Sequence, residues 1–266
     1  MKLGRSSSGP KTMLVTGAGA GIGRSITRRF ATAGWRVAAC DIDLAAVEAL
    51  ASELGANVFA YELDVVDPAG WQRVLGEFCG DGGLDLLVNN AGIVSPGYFV
   101  DVPLGAHLAA VDVNLKGVMT GCHTAYPYLR RGNSPQVVNL ASASALYGQA
   151  ELAGYSATKF GVRGLSEALD LEWSRDGIRV QAIWPLFVAT AMTENMDIGT
   201  VNRMGVRLGP DDVAAAVWKA VNRPRMFDAV RSIHRPVGAN TTVSMLATAV
   251  SPSWIQRHIN GYLARR

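Results

Sequence analysis

Two hydroxyl side chains and one amine are spaced along this chain in a way that suits proton transfer. Tyr155 and Lys159 are four residues apart, and Ser142 lies thirteen residues before Tyr155. On a helix, an offset of four residues places Tyr155 and Lys159 on one face. A nearby ammonium favours the ionised phenol, so Lys159 is expected to lower the Tyr155 pKa from its ordinary value of about 10. A Tyr-x-x-x-Lys pair alone is more typical of an exposed helix face, so the interpretation needs support from elsewhere in the chain.

That support comes from a glycine-rich segment near the N-terminus. Gly17, Gly21 and Gly23 follow the apolar run 13–15, and Ile22 begins an apolar stripe with helical spacing. A strand, a glycine turn and a helix N-terminus together bind phosphate, because free backbone N–H groups point at the anion. The glycines let the backbone approach a pyrophosphate and let the helix pack on the strand. A tight strand-to-helix connection is the simpler interpretation of such a turn when nothing else supports it.

An acidic residue at the end of the next strand favours nucleotide binding. Asp41 ends the run 35–41 and lies 24 residues after Gly17. A carboxylate near this offset accepts hydrogen bonds from an adenosine ribose. The alternative is that Asp41 belongs to the cap of a helix beginning near Asp43, which would leave the cofactor preference open.

With these motifs, the chain resembles the short-chain dehydrogenase/reductase family in its single-domain branch. The resemblance covers residues 11–190. It rests on Thr16-Gly17-x-x-x-Gly21-x-Gly23, Asp64-Val65, Asn89-Asn90-Ala91-Gly92, Asn114, Ser142, Tyr155-x-x-x-Lys159 and the segment from Pro185 to Thr190.

The resemblance implies a role for each matching residue. Tyr155 would be the general acid/base, Ser142 would bind the substrate oxygen, and Lys159 would lower the Tyr155 pKa and bind the nicotinamide ribose. Asn114 would hold a water that relays protons from Lys159. Besides Tyr155 and Lys159, the implied cofactor-binding residues are Gly17, Gly21, Ile22, Gly23, Asp41, Asp64, Val65, Asn90, Ala91, Gly92, Pro185, Val188 and Thr190.

Some of these residues have simpler explanations. Asp64 would pair with the adenine amino group in the family, but it is equally well explained as a helix cap before Asp67-Pro68. The segment 90–92 is also compatible with an ordinary turn at a strand end.

The cofactor predicted from Asp41 is NAD(H). A 2′-phosphate would bring like charges together beside Asp41, whereas a 2′-hydroxyl can donate to the carboxylate. Ala20 and Ile42 stand where phosphate-preferring relatives carry basic residues, and Arg36 lies at the far end of its strand. Arg24 is the one candidate for stabilising a 2′-phosphate, so an NADPH-preferring carbonyl reductase is kept as an alternative.

The predicted fold is α/β, a doubly wound and mostly parallel sheet of the Rossmann type in a three-layer single domain. Strands are predicted at 12–16, 35–41, 57–62, 84–90, 136–141 and 178–184, with helices between them. The motifs follow the strands, so they are expected at the carboxyl edge of the sheet. Residues 1–10 are predicted to be a flexible leader and 11–266 one domain. It would include a substrate loop at about 191–207 and a C-terminal helical segment at about 241–266.

Two departures from the family put the substrate and the assembly in doubt. The family usually has Asn-Pro-Gly where this chain reads Trp184-Pro185-Leu186, so the pocket shape is expected to differ. The C-terminal segment 241–255 is apolar and follows a basic stretch. It is predicted to be a helix packed on the domain or on a second subunit, with a peripheral membrane contact as the less favoured alternative.

Composition excludes several classes of protein. A net charge of +3 is too small to indicate nucleic-acid binding. The chain has neither a run long enough to span a membrane nor an apolar signal region. Its three cysteines, Cys40, Cys79 and Cys122, lack C-x-x-C spacing, which indicates reduced thiols in the cytoplasm and no metal site.

The predicted function is NAD(H)-dependent interconversion of an alcohol and a ketone or aldehyde, on an apolar substrate. Met192, Met196 and Met204 suggest an adaptable apolar pocket, although ordinary packing explains them nearly as well. Long apolar-rich helices around 103–130 and 155–175 predict a homodimer or homotetramer. An NAD-sensing regulator and a methyltransferase are the alternatives from other classes, but neither has a use for the Tyr155–Lys159 pair. The sequence leaves open which alcohol or ketone is the substrate and in which direction the reaction runs.

Overall fold

Within the described part of the chain, seven strands form one parallel sheet. The computed structural model describes residues 9–194, 196–224, 226 and 232–264. The strands are β1 (Thr12–Thr16), β2 (Arg36–Asp41), β3 (Val58–Glu62), β4 (Leu86–Asn89), β5 (Gln136–Leu140), β6 (Arg179–Trp184) and β7 (His234–Pro236). Their order in the sheet is β3-β2-β1-β4-β5-β6-β7. The order reverses between β1 and β4, which is where such sheets bind their ligands.

Helices cover both faces of this sheet. They are α1 (Gly21–Thr32), α2 (Leu44–Leu54), α3 (Pro68–Cys79), α4 (Leu104–Val111), α5 (Gly117–Leu129), α6 (Ala153–Trp173), α7 (Ala191–Glu194), α8 (Gly199–Met204), α9 (Pro210–Val221), α10 (Ala239–Val250) and α11 (Ser253–Ala264). A π-helical turn, Asp112–Lys116, joins α4 to α5.

The alternation of side chains along the strands produces two apolar cores. In β1, Leu14 belongs to the core that contains Trp71 of α3 and Val162 of α6. Its neighbour Val15 belongs to the opposite core, which contains Ile26 of α1. Strands buried on both faces are the rule in parallel sheets, which explains the high apolar content of the chain.

The predicted α/β fold is confirmed, and all six predicted strands form within two residues of the expected bounds. The short edge strand β7 was not predicted, because the basic stretch around it lacks a long apolar run. Helices α10 and α11 occupy the predicted C-terminal helical segment. The division of the chain into one domain with a substrate loop stays a prediction, and most of the predicted leader lies outside the described residues. None of the described helices is long and apolar enough to cross a membrane.

Candidate active site

The glycine turn between β1 and α1 has backbone angles that other residue types adopt only under strain. Gly17 and Gly21 have φ angles of +66° and +49°, in the left-handed region that favours glycine. A Cβ on Gly23 would lie 2.0 Å from the Gly17 carbonyl oxygen, so a side chain there would force α1 away from the turn. The turn therefore brings the first backbone N–H groups of α1 to the carboxyl edge of the sheet, as an anion site requires.

Asp41 is hydrogen-bonded to this turn. One carboxylate oxygen accepts from the Gly19 N–H at 2.9 Å, and the other accepts from the Asp43 N–H at 3.1 Å. Helix α2 is capped by Asp43, whose side chain accepts from the Ala46 N–H. The alternative that Asp41 itself caps that helix is therefore wrong, and Asp41 faces the cavity beside the glycine turn.

That cavity has a volume of about 450 Å³. Ten of the predicted cofactor residues line it: Gly17, Gly21, Ile22, Asp41, Asp64, Val65, Asn90, Ala91, Gly92 and Thr190. Asn90 also ties β4 to β1, because its Nδ2 donates to the carbonyls of Thr16 and Gly17 at 2.8 and 3.1 Å. The structure thus brings together four strand ends around one elongated space, which we call the cofactor cavity.

Asp64 does not cap the following helix. Its side chain accepts from the Val66 N–H at 3.1 Å, whereas Asp67 caps α3 through the N–H groups of Ala69 and Gly70. The helix-cap explanation of Asp64 is therefore wrong, and its position in the wall of the cofactor cavity fits the predicted adenine contact.

The two arginines considered as partners of a 2′-phosphate contact other side chains, and neither lines this cavity. Arg24 pairs with Glu53, with 3.1 Å between Nη2 and Oε2. The Arg36 guanidinium lies over the rings of Phe59 and Phe78, at the opposite end of β2 from Asp41. The exposed Ile42 side chain lines the cavity next to Asp41.

A second, smaller cavity of about 100 Å³ is lined by three of the four predicted catalytic residues, and Asn114 is the one that does not line it. Ser142, Tyr155 and Lys159 line it, together with Pro185 and Val188. Five residues line both cavities, namely Ile22, Asn90, Gly92, Thr190 and Met192. The second space, which we call the catalytic cavity, therefore adjoins the cofactor cavity.

Burial controls the titration of Tyr155 and Lys159. It raises the pKa of Tyr155 to about 12, against a smaller lowering by a hydrogen bond from Ser142. Burial also lowers the pKa of Lys159 to about 8. The Lys159 ammonium lies 5.4 Å from the centre of the Tyr155 ring and donates to the Leu140 carbonyl at 2.8 Å. The expected lowering of the Tyr155 pKa by Lys159 stays a prediction, and the largest effect on that pKa in this structure is desolvation of the phenol.

Ser142 belongs to a hydrogen-bond chain that the sequence alone does not predict. Its Oγ lies 3.2 Å from the Ser144 Oγ, and the Ser144 hydroxyl donates to the Gln149 Oε1 at 2.8 Å. All three side chains are buried, and the Gln149 Nε2 has no partner among the described residues. In the sequence, the signal for this chain is that Ser144 and Gln149 are polar residues in the segment 143–150, which is otherwise mostly small or apolar.

Asn114 lies in the π-helical turn and is fully buried. Its side chain accepts from the Ile93 N–H and donates to the Ile93 carbonyl, both at 2.8 Å. It also lies 3.3 Å from the Thr158 Oγ1, on the helix that carries Tyr155 and Lys159. Asn114 therefore joins the segment after β4 to α6, while its predicted role as a water holder stays a prediction.

Apolar side chains from the segment after β6 close the catalytic cavity. Leu186, Phe187, Met192 and Met196 line it, and Phe187 and Met196 pack with Leu152, Ile198 and Val201 in a separate buried cluster. The buried Glu151 holds α8 beside this cluster, since its carboxylate accepts from the Gly199 N–H of α8 at 2.9 Å. Leu186 thus adds bulk where the family usually has glycine, as the sequence indicated.

The cysteines do not form part of the site. Cys40, Cys79 and Cys122 are free, and burial raises the pKa of Cys79 to about 11 and that of Cys122 to about 12. The described residues contain no group of three or more His, Cys, Asp or Glu side chains placed to hold a metal ion.

Comparison with known proteins identifies the family to which this site belongs. A family model described as short chain dehydrogenase matches residues 11–199. The chain belongs to the short-chain dehydrogenase/reductase family. It is an oxidoreductase acting on CH–OH groups, like the relatives it matches. The match ends before α9, so β7, α10 and α11 lie outside it.

Named relatives in this family differ in their substrates. The chain is 37% identical over 185 residues to a 3-alpha-(or 20-beta)-hydroxysteroid dehydrogenase of Mycobacterium tuberculosis, covering 69% of this chain and 71% of that one. It is 35% identical over 189 residues to a D-threitol dehydrogenase of Mycolicibacterium smegmatis, covering 68% and 72%.

Solved structures share the fold. A 3-ketoacyl-(acyl-carrier-protein) reductase from Brucella melitensis, complexed with NADH, is similar with a TM-score of 0.76 and 31% identity. The similarity covers 87% of this chain and 98% of the reductase.

Proposed function

We propose that this protein interconverts an alcohol and a ketone or aldehyde with NAD(H) as the hydride carrier. The observation that carries the proposal is that two adjoining cavities share five lining residues. One presents the glycine turn and Asp41, and the other presents Ser142, Tyr155 and Lys159. A substrate carbon beside Tyr155 would therefore lie next to the space suited to a nicotinamide ring.

Three residues of the catalytic cavity would each have a separate role in proton transfer. The raised pKa keeps Tyr155 protonated at neutral pH, so its phenol can donate a proton to a carbonyl oxygen as that oxygen gains charge. Ser142 would hydrogen-bond the same oxygen, and the Lys159 ammonium would stabilise the phenolate that remains. In alcohol oxidation the same groups act in reverse. NAD(H), when bound, supplies or accepts the hydride.

The residues of the cofactor cavity fit NAD(H) better than its 2′-phosphorylated form. Backbone N–H groups at the start of α1 would bind the pyrophosphate, and Asp41 would accept from the adenosine ribose. Arg24 is paired with Glu53, so it offers little compensation for a phosphate placed near Asp41. Pro185, Val188 and Thr190 would contact the nicotinamide end.

The substrate is proposed to be apolar around its reacting carbon. The walls contributed by Leu152, Phe187 and Met196 expose hydrocarbon and a thioether to the catalytic cavity. Such side chains select by shape and desolvation, and methionine adapts to several shapes. The named relatives act on steroids and on a sugar alcohol, so the family alone does not fix this choice.

We further propose that the protein is a homodimer or homotetramer in the cytoplasm. An apolar groove of about 710 Å³ lies between α5 and α6, with Met119, Leu165 and Leu169 in its walls. Helix pairs with such faces suit a symmetric interface between two copies. The free thiols are in keeping with a reducing compartment. Light scattering should give a mass of two or four chains at micromolar concentration, and a monomer would contradict the assembly.

Turnover with a substrate panel tests the proposed function. Alcohols and ketones of increasing apolar size would be mixed with the protein and NAD(H) or NADP(H), and the absorbance of the reduced cofactor followed. We expect turnover with NAD(H) that rises with the apolar character of the substrate. Binding of NAD(H) without turnover of any panel member would favour a regulatory protein.

A further inference from the structure

Positive charge is concentrated in the C-terminal part of the chain. The whole sequence has 25 Lys and Arg against 22 Asp and Glu. Residues 219–266 contain eight of the basic residues and only one of the acidic ones, Asp228, which leaves 17 basic and 21 acidic residues in 1–218. The first 218 residues thus carry a charge of −4 and the last 48 a charge of +7. Such asymmetry is typical of a segment that meets an anionic surface.

The same part of the chain exposes large apolar side chains. Trp254 and Tyr262 of α11 are 64% and 63% exposed, and Ile259 is half exposed. At about 100° per residue these three lie within an arc of about 140° on the helix, so they form one face. Val243 and Leu246 of α10 are also exposed and lie three residues apart.

Arg257 borders this face, and Tyr262 at its C-terminal end also contacts the domain. The Arg257 side chain is exposed, about 60° around the helix from Trp254. Helix α11 packs against α8, and the Arg203 guanidinium lies 4.3 Å from the centre of the Tyr262 ring. The apolar face is therefore held in a fixed orientation by the helix that helps to close the catalytic cavity.

We propose that the C-terminal surface formed by Trp254, Arg257, Ile259 and Tyr262 of α11 binds an anionic lipid bilayer at its interface. Tryptophan and tyrosine are enriched where headgroups meet acyl chains, because each has an apolar body and a polar tip. Basic residues near the bilayer surface are attracted by anionic headgroups. An amphipathic helix with both features lies in the plane of the interface without spanning it.

Charge and apolar area together favour a lipid surface over other occupants. A second copy of this chain would bring one positively charged segment against another, which electrostatics disfavours. Nucleic acid would meet the positive charge but would leave the exposed Trp254 and Ile259 without an apolar partner. Lipid satisfies both, since headgroups would meet Arg257 and acyl chains would meet the apolar face of α11.

Vesicle sedimentation with the full chain tests this proposal without depending on turnover. Vesicles of phosphatidylglycerol and of phosphatidylcholine would be compared at low and high salt. We expect binding to phosphatidylglycerol that weakens at high salt, and little binding to phosphatidylcholine. Lack of binding to phosphatidylglycerol at low salt would overturn the proposal, and equal binding to both lipids would overturn its electrostatic part.

Matched variants locate the surface. Trp254→Ser combined with Tyr262→Ser should lower the partition coefficient by about tenfold or more, and Arg257→Gln by about fivefold. Val100→Ser and Arg175→Gln remove an exposed apolar and an exposed basic side chain elsewhere, and should bind like the unmodified protein. Thermal melting checks that each variant folds. If the C-terminal variants bind vesicles normally, or change the mass seen by light scattering, the surface has another occupant and the proposal is wrong.

Discussion

The two cavities of this protein differ in which residues line them. The cofactor cavity is formed largely by residues at the ends of β1 to β4, with Asp41 and Asp64 as its charged side chains. The catalytic cavity is closed by side chains from the segment after β6, where Leu186 and Phe187 depart from the family pattern. Backbone geometry depends on a few glycines at fixed spacing, whereas a side-chain wall changes with every substitution. The cofactor can therefore be inferred more sharply than the substrate.

The largest expected effect separates chemistry from cofactor binding. Tyr155→Phe removes the proton donor of the catalytic cavity and leaves the cofactor cavity intact. Turnover should fall by roughly 10²–10⁴-fold, while the Kd for NAD⁺ changes by less than about threefold. Tyr61→Phe removes the hydroxyl of a tyrosine on β3 and serves as the control. Near-normal turnover in Tyr155→Phe would show that the acid/base is another group.

The burial of Lys159 predicts a pH effect on stability. Its pKa is about 8 in the folded protein and 10.5 in an ordinary setting, so between these pH values the unfolded chain binds the proton that the folded chain has lost. The contribution of Lys159 to the free energy of unfolding therefore rises with pH across that window. The rise is up to about 3 kcal/mol, at about 1.4 kcal/mol per pKa unit. The unfavourable contribution of Lys159 is fully present below pH 8.

Urea unfolding of the unmodified protein and of Lys159→Met measures this effect as a difference. The free energy of unfolding of the unmodified protein should rise relative to that of the variant as pH rises from 8 to 10.5. Comparison with Lys116→Met, which removes an exposed ammonium paired with Asp112, corrects for general effects of pH. A difference that stays constant over the window would mean that Lys159 is not desolvated as the structure indicates.

A smaller effect tests the hydrogen-bond chain behind Ser142. Gln149→Leu removes the acceptor for the Ser144 hydroxyl, which should leave the Ser142 hydroxyl less well oriented. We expect kcat to fall by about threefold to tenfold with little change in the KM for NAD(H), since one neutral hydrogen bond contributes about 1 kcal/mol. Gln149→Glu keeps an accepting oxygen and should recover much of the loss. Equal activity in the Leu variant and the unmodified protein would show that Gln149 does not help to orient the Ser142 hydroxyl.

The sequence predicts the strands well, and it predicts which residues meet after β1 to β4, because both depend on local patterns; the roles of these residues toward a cofactor stay predictions. Apolar runs located six of the strands, and Gly17, Gly21 and Asp41 were found from their spacing. The Ser142–Ser144–Gln149 chain was beyond such reasoning, since it depends on how a loop turns back on itself. The raised Tyr155 pKa was also missed, because desolvation depends on the packing around the ring.

The cofactor preference is the most direct test of the whole account. Calorimetric titration of the unmodified protein should show NAD⁺ binding at least about tenfold more tightly than NADP⁺, since a 2′-phosphate near Asp41 meets repulsion of about 1 to 4 kcal/mol. Asp41→Ser combined with Ile42→Arg should reverse this order, whereas Arg36→Ala, at the far end of β2, should leave it unchanged. Tighter binding of NADP⁺ by the unmodified protein, or binding of neither cofactor, would contradict the account.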